Sequence, residues 1–377
     1  MVSERPKRCR GVLLSIGLLF VAAGFSRADT VAIRRPGAAD SIAPTVYTDV
    51  KITDIADGRI VFTTAYGNNV EKALAAVVAL TIDDEPQFNE AEQDYAANHL
   101  DRAIDEFNQT IQNTDKPWLK AYCQPLLTNA ANKGGRFDLA VQGYIYLVLN
   151  QPAVAMGLRP TVPPADSPYL DTAAKSLSDA SNAAGISPQQ QVAFLSLLLD
   201  VDRMRKDTSA IDDVASQLTK IASAAGGSTA NLASVALADA KITEAGTAVA
   251  QKDFDQAASI ITSNGNLFVD PRRQADALYI LARAREGQAE SKDDPGAWQD
   301  AAIAYMRVTA DFKDSPATPH VANSLLKTAR ILETHLNAPA KAMRIYQSVQ
   351  AQFPQTLAAD EAARQIARLQ SAGIQPD

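Results

Sequence analysis

The histidines and cysteines are the first side chains to test for chemistry, because they ligate metals and act as bases or nucleophiles. The histidines are His99, His320 and His335, and Cys123 is the cysteine that lies outside residues 1–28. None of the histidines has a second histidine or a cysteine at the spacing of a metal site. The sequence therefore predicts no metal and no cofactor, and we interpret Cys123 as a small core residue.

A serine and a lysine three residues apart have a spacing that is known from nucleophilic catalysis. Ser324 and Lys327 match the S-x-x-K pattern of serine acyl-enzymes. The sequence has no accompanying S-D-N or K-T-G element, no G-x-S-x-G and no phosphate loop. The acidic residues at 83–85 and 293–294 precede prolines and lack the alternating oxygen ligands of a calcium loop. These patterns predict that the protein is not an enzyme.

Any functional residue has to be positioned by the fold of the chain, and this chain is long and rich in apolar residues. It has 377 residues, of which 46% are hydrophobic and 21% are charged, which is enough for two or three packed domains. The formal net charge of -7 creates no field that would attract phosphate groups. The composition therefore argues against nucleic acid as a partner.

The N-terminus, residues 1–28, has the pattern of a secretory signal peptide. Four basic residues precede an apolar run from Val12 to Phe25, which ends in the small-x-small pattern 26–28. The run is shorter than the roughly 20 residues that span a bilayer, so an uncleaved anchor is the weaker alternative. We expect an exported protein, periplasmic or secreted, whose mature chain begins at Asp29 and has no membrane span. Residues 29–44 show no periodicity and are expected to form a flexible leader.

Residues 45–85 have the short alternating runs of a small antiparallel β module. Strands are predicted over Val46 to Ile55, 60–64, Asn69 to Lys72 and Ala76 to Ile82, with turns at 57–58 and 67–68. Strands this short bury one face only by curling into a barrel or by packing on a neighbour. The arrangement resembles the small SH3-like and Sm-like barrels, and a plain β-meander that covers the helices is the alternative.

The period becomes helical after Pro86, and six apolar positions recur 41 residues further along the chain. The first set is Ala301, Tyr305, Val308, Phe312, Ala322 and Leu325, and the second is Ala342, Tyr346, Val349, Phe353, Ala363 and Ile366. The small residue lets two helices approach closely, and the aromatic residue one turn later fills the gap against the next hairpin. Such hairpins bury their apolar faces only by stacking, which predicts an α-solenoid.

These residues resemble tetratricopeptide repeats, in which a bulky, a small and an aromatic residue follow each other in the second helix. Phe137, Ala140 and Tyr144 fit that order, as do Leu100, Ala103 and Phe107. The C-terminal pair resembles the repeats of periplasmic envelope proteins such as the Tol-Pal coordinator and the outer-membrane assembly lipoproteins. The resemblance implies a mainly α fold, an α-solenoid of tetratricopeptide-like helical hairpins preceded by the small antiparallel β module.

We divide the helical part of the chain into three segments. Residues 86–155 and 226–377 are predicted to form tetratricopeptide-like pairs, and 156–225 to form a Pro-rich break with degenerate repeats. Within that segment, three helices are expected. They span Leu170 to Ala184, Pro188 to Arg205 and Ser209 to Ala224. The repeats imply five to seven helical pairs in all.

The resemblance implies a non-catalytic scaffold or adaptor of the cell envelope that grips a protein or peptide on the concave face of the solenoid. Its inward-facing positions in the first helices correspond to Asn129, Asn132, Lys133, Lys327 and His335. Asparagine amides would bond a peptide backbone, and lysine would pair with a carboxylate. Two alternatives stay open: an envelope enzyme or carbohydrate-handling factor with a dispersed site, and an Sm-like element that binds RNA.

Overall fold

The structure is a computed structural model of the chain that describes residues 28–35, 43–56, 58–292, 294–312 and 320–376. Apart from Ala28, the predicted signal peptide lies outside the described residues. So do Asp293 of the second acidic group and part of the predicted leader.

The N-terminal strands form one five-stranded antiparallel sheet in the order β4-β3-β2-β1-β5. The strands are β1 Asp29–Ile33, β2 Thr45–Ala56, β3 Arg59–Thr63, β4 Asn69–Ala73 and β5 Val77–Thr81. The four predicted strands are therefore confirmed within a residue or two at each end. Gly58 and Gly67, with φ of 71° and 76°, occupy the two predicted turns, where a left-handed backbone favours glycine.

The flexible leader predicted over 29–44 is wrong for its first residues, because Asp29–Ile33 form β1 between β2 and β5. Val31 is fully buried in the sheet. The carboxylate of Asp29 accepts hydrogen bonds from the backbone N–H groups of Ile52 at 2.8 Å and Asp83 at 3.1 Å. A five-residue strand is too short to show its period beside a Pro-rich stretch, so tertiary pairing decides its conformation.

The long strand β2 is shared between two partners. Its first half pairs with β1 and its second half with β3, and Asp49 near the change has a φ of 55°. Strands β1 to β4 follow each other as a meander, whereas β5 returns to the other side of β1. The sheet therefore has β4 and β5 as its edges, and no ladder joins them among the described residues.

The described residues after the sheet form fifteen α-helices. They are α1 Pro86–Ala96, α2 Leu100–Asn113, α3 Pro117–Lys133, α4 Phe137–Asn150, α5 Pro152–Ala155, α6 Leu170–Ser181, α7 Pro188–Arg205, α8 Thr208–Ala224, α9 Gly227–Ala250, α10 Phe254–Ser263, α11 Pro271–Lys292, α12 Pro295–Phe312, α13 His320–Thr334, α14 Pro339–Gln352 and α15 Leu357–Ser371. The three helices predicted between 170 and 224 are thus α6, α7 and α8. A mainly α fold with a small antiparallel sheet is confirmed.

The chain divides into two compact units, and the division falls inside α2 and α3. The first unit holds the sheet, α1 and residues 106–122, and the second holds 98–105 and the chain from Cys123 onward. The predicted boundary after residue 85 differs from this division, because α1 is fastened to the end of the sheet. The side chain of Asn89 donates to the carbonyl of Ile82 at 2.7 Å and accepts from its N–H at 2.8 Å.

In the second unit, α7 to α14 form four consecutive antiparallel hairpins. The helices α7, α9, α11, α13 and α15 also contact one another in succession. We call these five helices the first-helix layer, since four of them begin a hairpin. Each hairpin therefore packs mainly on its neighbours, as expected for a solenoid of helical pairs.

Most of the recurring apolar positions lie in the core, as the repeat predicts, whereas Phe353 is half-buried. Tyr305 in α12 and Tyr346 in α14 are almost fully buried, and the alanines four residues before them are fully buried. The same holds for Ala140 and Ala257, the small residues of α4 and α10. In α15 the register differs by one residue, because Ala362 is fully buried whereas the predicted Ala363 is half-buried.

Candidate binding surface on the first-helix layer

The Pro-rich break replaces a helix that the repeat pattern would place before α6. Only the four-residue α5 and the irregular segment 156–169 occupy this stretch of the chain. Helix α6 packs against α4 and against α7. Because a four-residue helix covers far less surface than the first helix of a complete hairpin, the side of α7 that faces this segment stays partly open.

A surface cavity of about 400 Å³ lies at this open side, between the Pro-rich segment, α7 and α9. We call it the Arg159 cavity. Its lining residues are Met156 and Arg159 from the irregular segment, Gln189, Val192, Ala193, Ser196, Leu199 and Asp200 from α7, and Leu232, Val235, Ala236 and Asp239 from α9. Most of this lining is apolar. Its volume falls in the range of pockets that hold small ligands or the anchor side chains of peptides.

Two large apolar side chains at the Arg159 cavity are exposed to solvent. Met156 is 83% exposed and Leu232 is 44% exposed. Each lies on a different side of the cavity, one on the irregular segment and one on α9. Covering them would remove apolar area from water, which favours an apolar occupant.

Charged side chains fix the polar rim of the Arg159 cavity. The guanidinium of Arg159 donates to the carboxylate of Asp200 at 2.5 Å and to the carbonyl of Ser196 at 3.0 Å. Arg203, one turn further along α7, also pairs with Asp200 at 3.1 Å. These contacts hold the irregular segment against α7 in place of helix packing.

Polar contacts of arginine side chains continue from α7 to α9 and α11. Arg203 donates to the backbone carbonyl of Asp239 at 2.5 Å and also to the hydroxyl of Thr243. Arg273 of α11 binds the carboxylate of Asp239 through two hydrogen bonds, at 2.7 and 2.8 Å. Such forked contacts are more directional than single ion pairs. They raise the pKa of Arg273, with the hydrogen bonds to Asp239 as the largest cause.

A second, charged depression of about 290 Å³ lies further along the layer, at α9, α11 and α13. Lys327 lines it and binds both carboxylate oxygens of Glu286, at 2.8 and 3.1 Å. The hydroxyl of Tyr305 donates to the same carboxylate at 2.5 Å. Burial and this negative charge both raise the pKa of Tyr305, so the phenol stays protonated. Lys327 and Glu286 are 41 residues apart and hold equivalent repeat positions.

The structure places the five predicted site residues in two groups instead of one site. Asn129, Asn132 and Lys133 lie on α3, whereas Lys327 lies on α13. The amide oxygen of Asn132 accepts from the N–H of Thr161 at 2.9 Å, so it anchors the Pro-rich segment. Their binding role remains a prediction that mutation has to test.

His335 does not lie on a first helix, which corrects the predicted position. Helix α13 ends at Thr334, and the imidazole of His335 stacks on the indole of Trp298 from α12. Their ring centroids are 3.5 Å apart. The repeat spacing places His335 on the first helix, but it lies one residue beyond the end of α13.

Of the residues considered for catalysis, Ser324 and Cys123 are fully buried. The hydroxyl of Ser324 has no hydrogen-bond partner among the described residues. No group of three or more potential metal ligands occurs within the described ranges. None of the described helices is both long enough and apolar enough to cross a bilayer.

Sequence patterns missed the residues that shape the Arg159 cavity. Met156, Arg159 and Leu232 belong to no predicted repeat position, and the cavity lies beside the irregular segment that follows the four-residue α5. The available signal was the Pro-rich break itself, since four prolines between 160 and 168 exclude a full helix there.

Comparison with known proteins identifies no family. No protein-family model and no curated protein matches the chain. Among solved structures, the chain is similar to the C-terminal part of a TPR repeat-containing protein from Cytophaga hutchinsonii. The two are 13% identical with a TM-score of 0.36, and the match covers 73% of this chain and 98% of the other. We assign the helical hairpins from the helices of this chain and their contacts, and the similarity to the Cytophaga protein is not used for that assignment.

Proposed function

We propose that the protein is a non-catalytic interaction scaffold that binds a segment of a partner protein on the first-helix layer. The Arg159 cavity is the observation that carries this proposal. An apolar side chain of the segment enters the cavity between Met156 and Leu232, which are exposed in the unbound protein. Asp200 and Asp239 at the rim accept hydrogen bonds from the backbone N–H groups of that segment.

The physical properties of the cavity favour a polypeptide over a polyanion. The lining is mostly apolar, and the arginines beside it already bind Asp200 and Asp239. Occupied guanidinium groups attract phosphate poorly, whereas unfilled acceptor positions on carboxylates suit N–H donors. A side chain that fills a desolvated pocket is also the usual energetic anchor of a protein interface.

We also propose that the scaffold acts outside the cytoplasm, in the cell envelope. The basic residues and apolar run of segment 1–28 support export, as does the small-x-small pattern that ends at Ala28. Intact-mass measurement of the protein from an extracytoplasmic fraction is expected to give a chain that begins at Asp29. Recovery of the uncleaved chain in the membrane fraction would contradict this proposal.

The binding proposal is tested with a library of short random peptides displayed on phage. Peptides selected on the full chain are expected to share a large apolar residue. Leu232→Glu places a charge in the cavity and is expected to weaken their binding about tenfold or more. Ile303→Glu is the matched control, because Ile303 is 66% exposed on α12, outside the first-helix layer.

Two results would overturn the proposal. One is a selection that enriches no peptide over a bead control. The other is a set of enriched peptides that Leu232→Glu and Ile303→Glu bind equally well, with both variants folded by circular dichroism.

A further inference from the structure

Two depressions of the second unit lie on the same face of α9. Leu232 lines the Arg159 cavity, whereas Val249 and Ala250 line the charged depression at α9, α11 and α13, which we call the Arg283 depression. Ala250 follows Leu232 by eighteen residues, or about five full turns of 3.6 residues, so both side chains point to the same side of the helix. A single segment that runs along α9 can therefore reach both depressions.

The rise of the α-helix sets the distance between the two depressions. On α9 the lining of the Arg159 cavity ends at Asp239, and that of the Arg283 depression begins at Val249. At about 1.5 Å per residue, the separation along the helix is about 15 Å from Asp239 to Val249 and about 27 Å from Leu232 to Ala250. An extended chain advances about 3.3 Å per residue, so about five to eight residues cover this distance.

The strip of α9 between the depressions carries no large side chain. Thr243 and Gly246 follow Asp239 at helical spacing and are half-buried. A Cβ on Gly246 would meet only the side chain of Ile280, at 3.7 Å, so there is open space beside this glycine. Helix α9 therefore presents no side chain that would block a segment between the two depressions.

The Arg283 depression contains two cations without ion pairs. Arg283 on α11 and Lys252 between α9 and α10 are both exposed, and neither forms an ion pair within the described ranges. Lys327, in contrast, binds the carboxylate of Glu286, which lies one turn after Arg283 on α11. With Glu290, the lining holds three basic and two acidic side chains. It therefore has an excess of positive charge, whereas the whole chain has a net charge of -7.

This arrangement of charges favours a single carboxylate as the group that binds. A guanidinium can donate two parallel hydrogen bonds to one carboxylate, and that of Arg283 is not bound to one among the described residues. Glu286 and Glu290 would repel the successive charges of a polyanion. An acidic side chain on a polypeptide meets both conditions.

We propose that the partner segment carries an aspartate or glutamate about five to eight residues from its apolar anchor, and that this side chain binds Arg283. The inference rests on the proposed function, because the anchor has to occupy the Arg159 cavity. It adds the charge of the second contact and its spacing from the first. The two contacts together discriminate between segments that carry the same apolar residue.

A phage library tests the spacing. It displays peptides with one fixed leucine and ten random residues on each side, and it is selected on the full chain. Enriched peptides are expected to share an acidic residue about five to eight positions from the leucine, on one side of it. Enriched peptides without an acid at this spacing would overturn the inference and leave the proposed function in place. A selection that enriches no peptide would overturn both.

A charge exchange tests the residue. Arg283→Glu is expected to weaken the binding of an enriched synthetic peptide about fivefold or more, measured by fluorescence anisotropy. Replacing the acid of that peptide by lysine is expected to restore binding to Arg283→Glu and to weaken binding to the unmodified protein.

Arg285→Glu is the matched control, because Arg285 is exposed on the same helix but does not line the Arg283 depression. It is expected to leave the affinity for both peptides unchanged. Equal losses in Arg283→Glu and Arg285→Glu, with both variants folded by circular dichroism, would overturn the inference. So would a lysine peptide that binds Arg283→Glu no better than the acidic peptide does.

Discussion

Glu92 shows how burial alone can change the charge of a residue in this fold. Its side chain lies on α1, and no described residue donates a hydrogen bond to its enclosed Oε1. Desolvation raises the pKa of this carboxyl from 4.5 to about 7. The native state therefore holds a proton at a pH where the unfolded chain has released it.

The buried carboxyl of Glu92 makes the stability of the first unit fall as the pH rises from about 4.5 to about 7. The native state binds more protons than the unfolded state in this window, so the free energy of unfolding falls with pH. Glu92→Gln removes this dependence and is expected to be the more stable protein above pH 7, by up to about 3 kcal/mol. Below the window the two proteins are expected to be equally stable.

Urea unfolding followed by Trp118 fluorescence measures the effect, because Trp118 lies in the first unit. Trp298→Phe in both proteins removes the other indole from the signal. If the free energy of unfolding depended on pH in the same way in the Glu92→Gln variant and in the protein with Glu92, then Glu92 would ionise in the native state as it does in the unfolded chain. That result would contradict the prediction.

At the scale of elements, sequence periodicity predicted most of the structure. The apolar positions of β3 and the helical period of α6 survive in the fold because each element buries one face, which includes Ile60 and Phe62 in β3 and Leu170 and Leu177 in α6. β1 was missed because its five residues gain their order from pairing with β2 and β5. The Arg159 cavity was missed for a related reason, since it depends on which helices flank an irregular segment.

The hairpin of α3 and α4 depends on a glycine at the point where the two helices meet. A Cβ on Gly143 would overlap the hydroxyl of Thr128 and lie 3.1 Å from its Cβ. Thr128 is fully buried, and its hydroxyl donates to the carbonyl of Gln124 at 2.7 Å. Only hydrogen fits at this contact without a shift of one helix.

Gly143→Ala is therefore expected to destabilise the protein, although alanine is the better helix former. The helical preference for alanine amounts to about 1 kcal/mol, whereas overpacking costs about 1 to 3 kcal/mol. Chemical denaturation of Gly143→Ala, Thr128→Ala and the double variant measures both effects. The double variant is expected to be more stable than Gly143→Ala alone, since Thr128→Ala provides room. Additive effects of the two changes would place the strain elsewhere.

The second unit as a whole is held together by contacts between neighbouring hairpins. Among the described residues, each of α10 to α14 packs on the helix before it and the helix after it, and the helices of the first-helix layer contact one another in succession. The polar contacts of arginine follow the same order, from Arg203 on α7 to the backbone carbonyl of Asp239 on α9, and from the Asp239 carboxylate to Arg273 on α11. In such an arrangement, a local loss of stability spreads to adjacent repeats and decreases with distance.

Met343→Ala tests this local coupling from the C-terminal end. Met343 is fully buried in a cluster with Leu325, Tyr346 and Ile366, and its truncation is expected to cost about 2 to 5 kcal/mol. Hydrogen exchange is expected to quicken in α13, α14 and α15 and to stay unchanged in α6, α7 and α8. Leu177→Ala in α6 is the reciprocal control, because Leu177 is also fully buried but belongs to a separate cluster. If both variants lowered protection equally in both regions, the second unit would unfold as one cooperative body and not as a series of stacked hairpins.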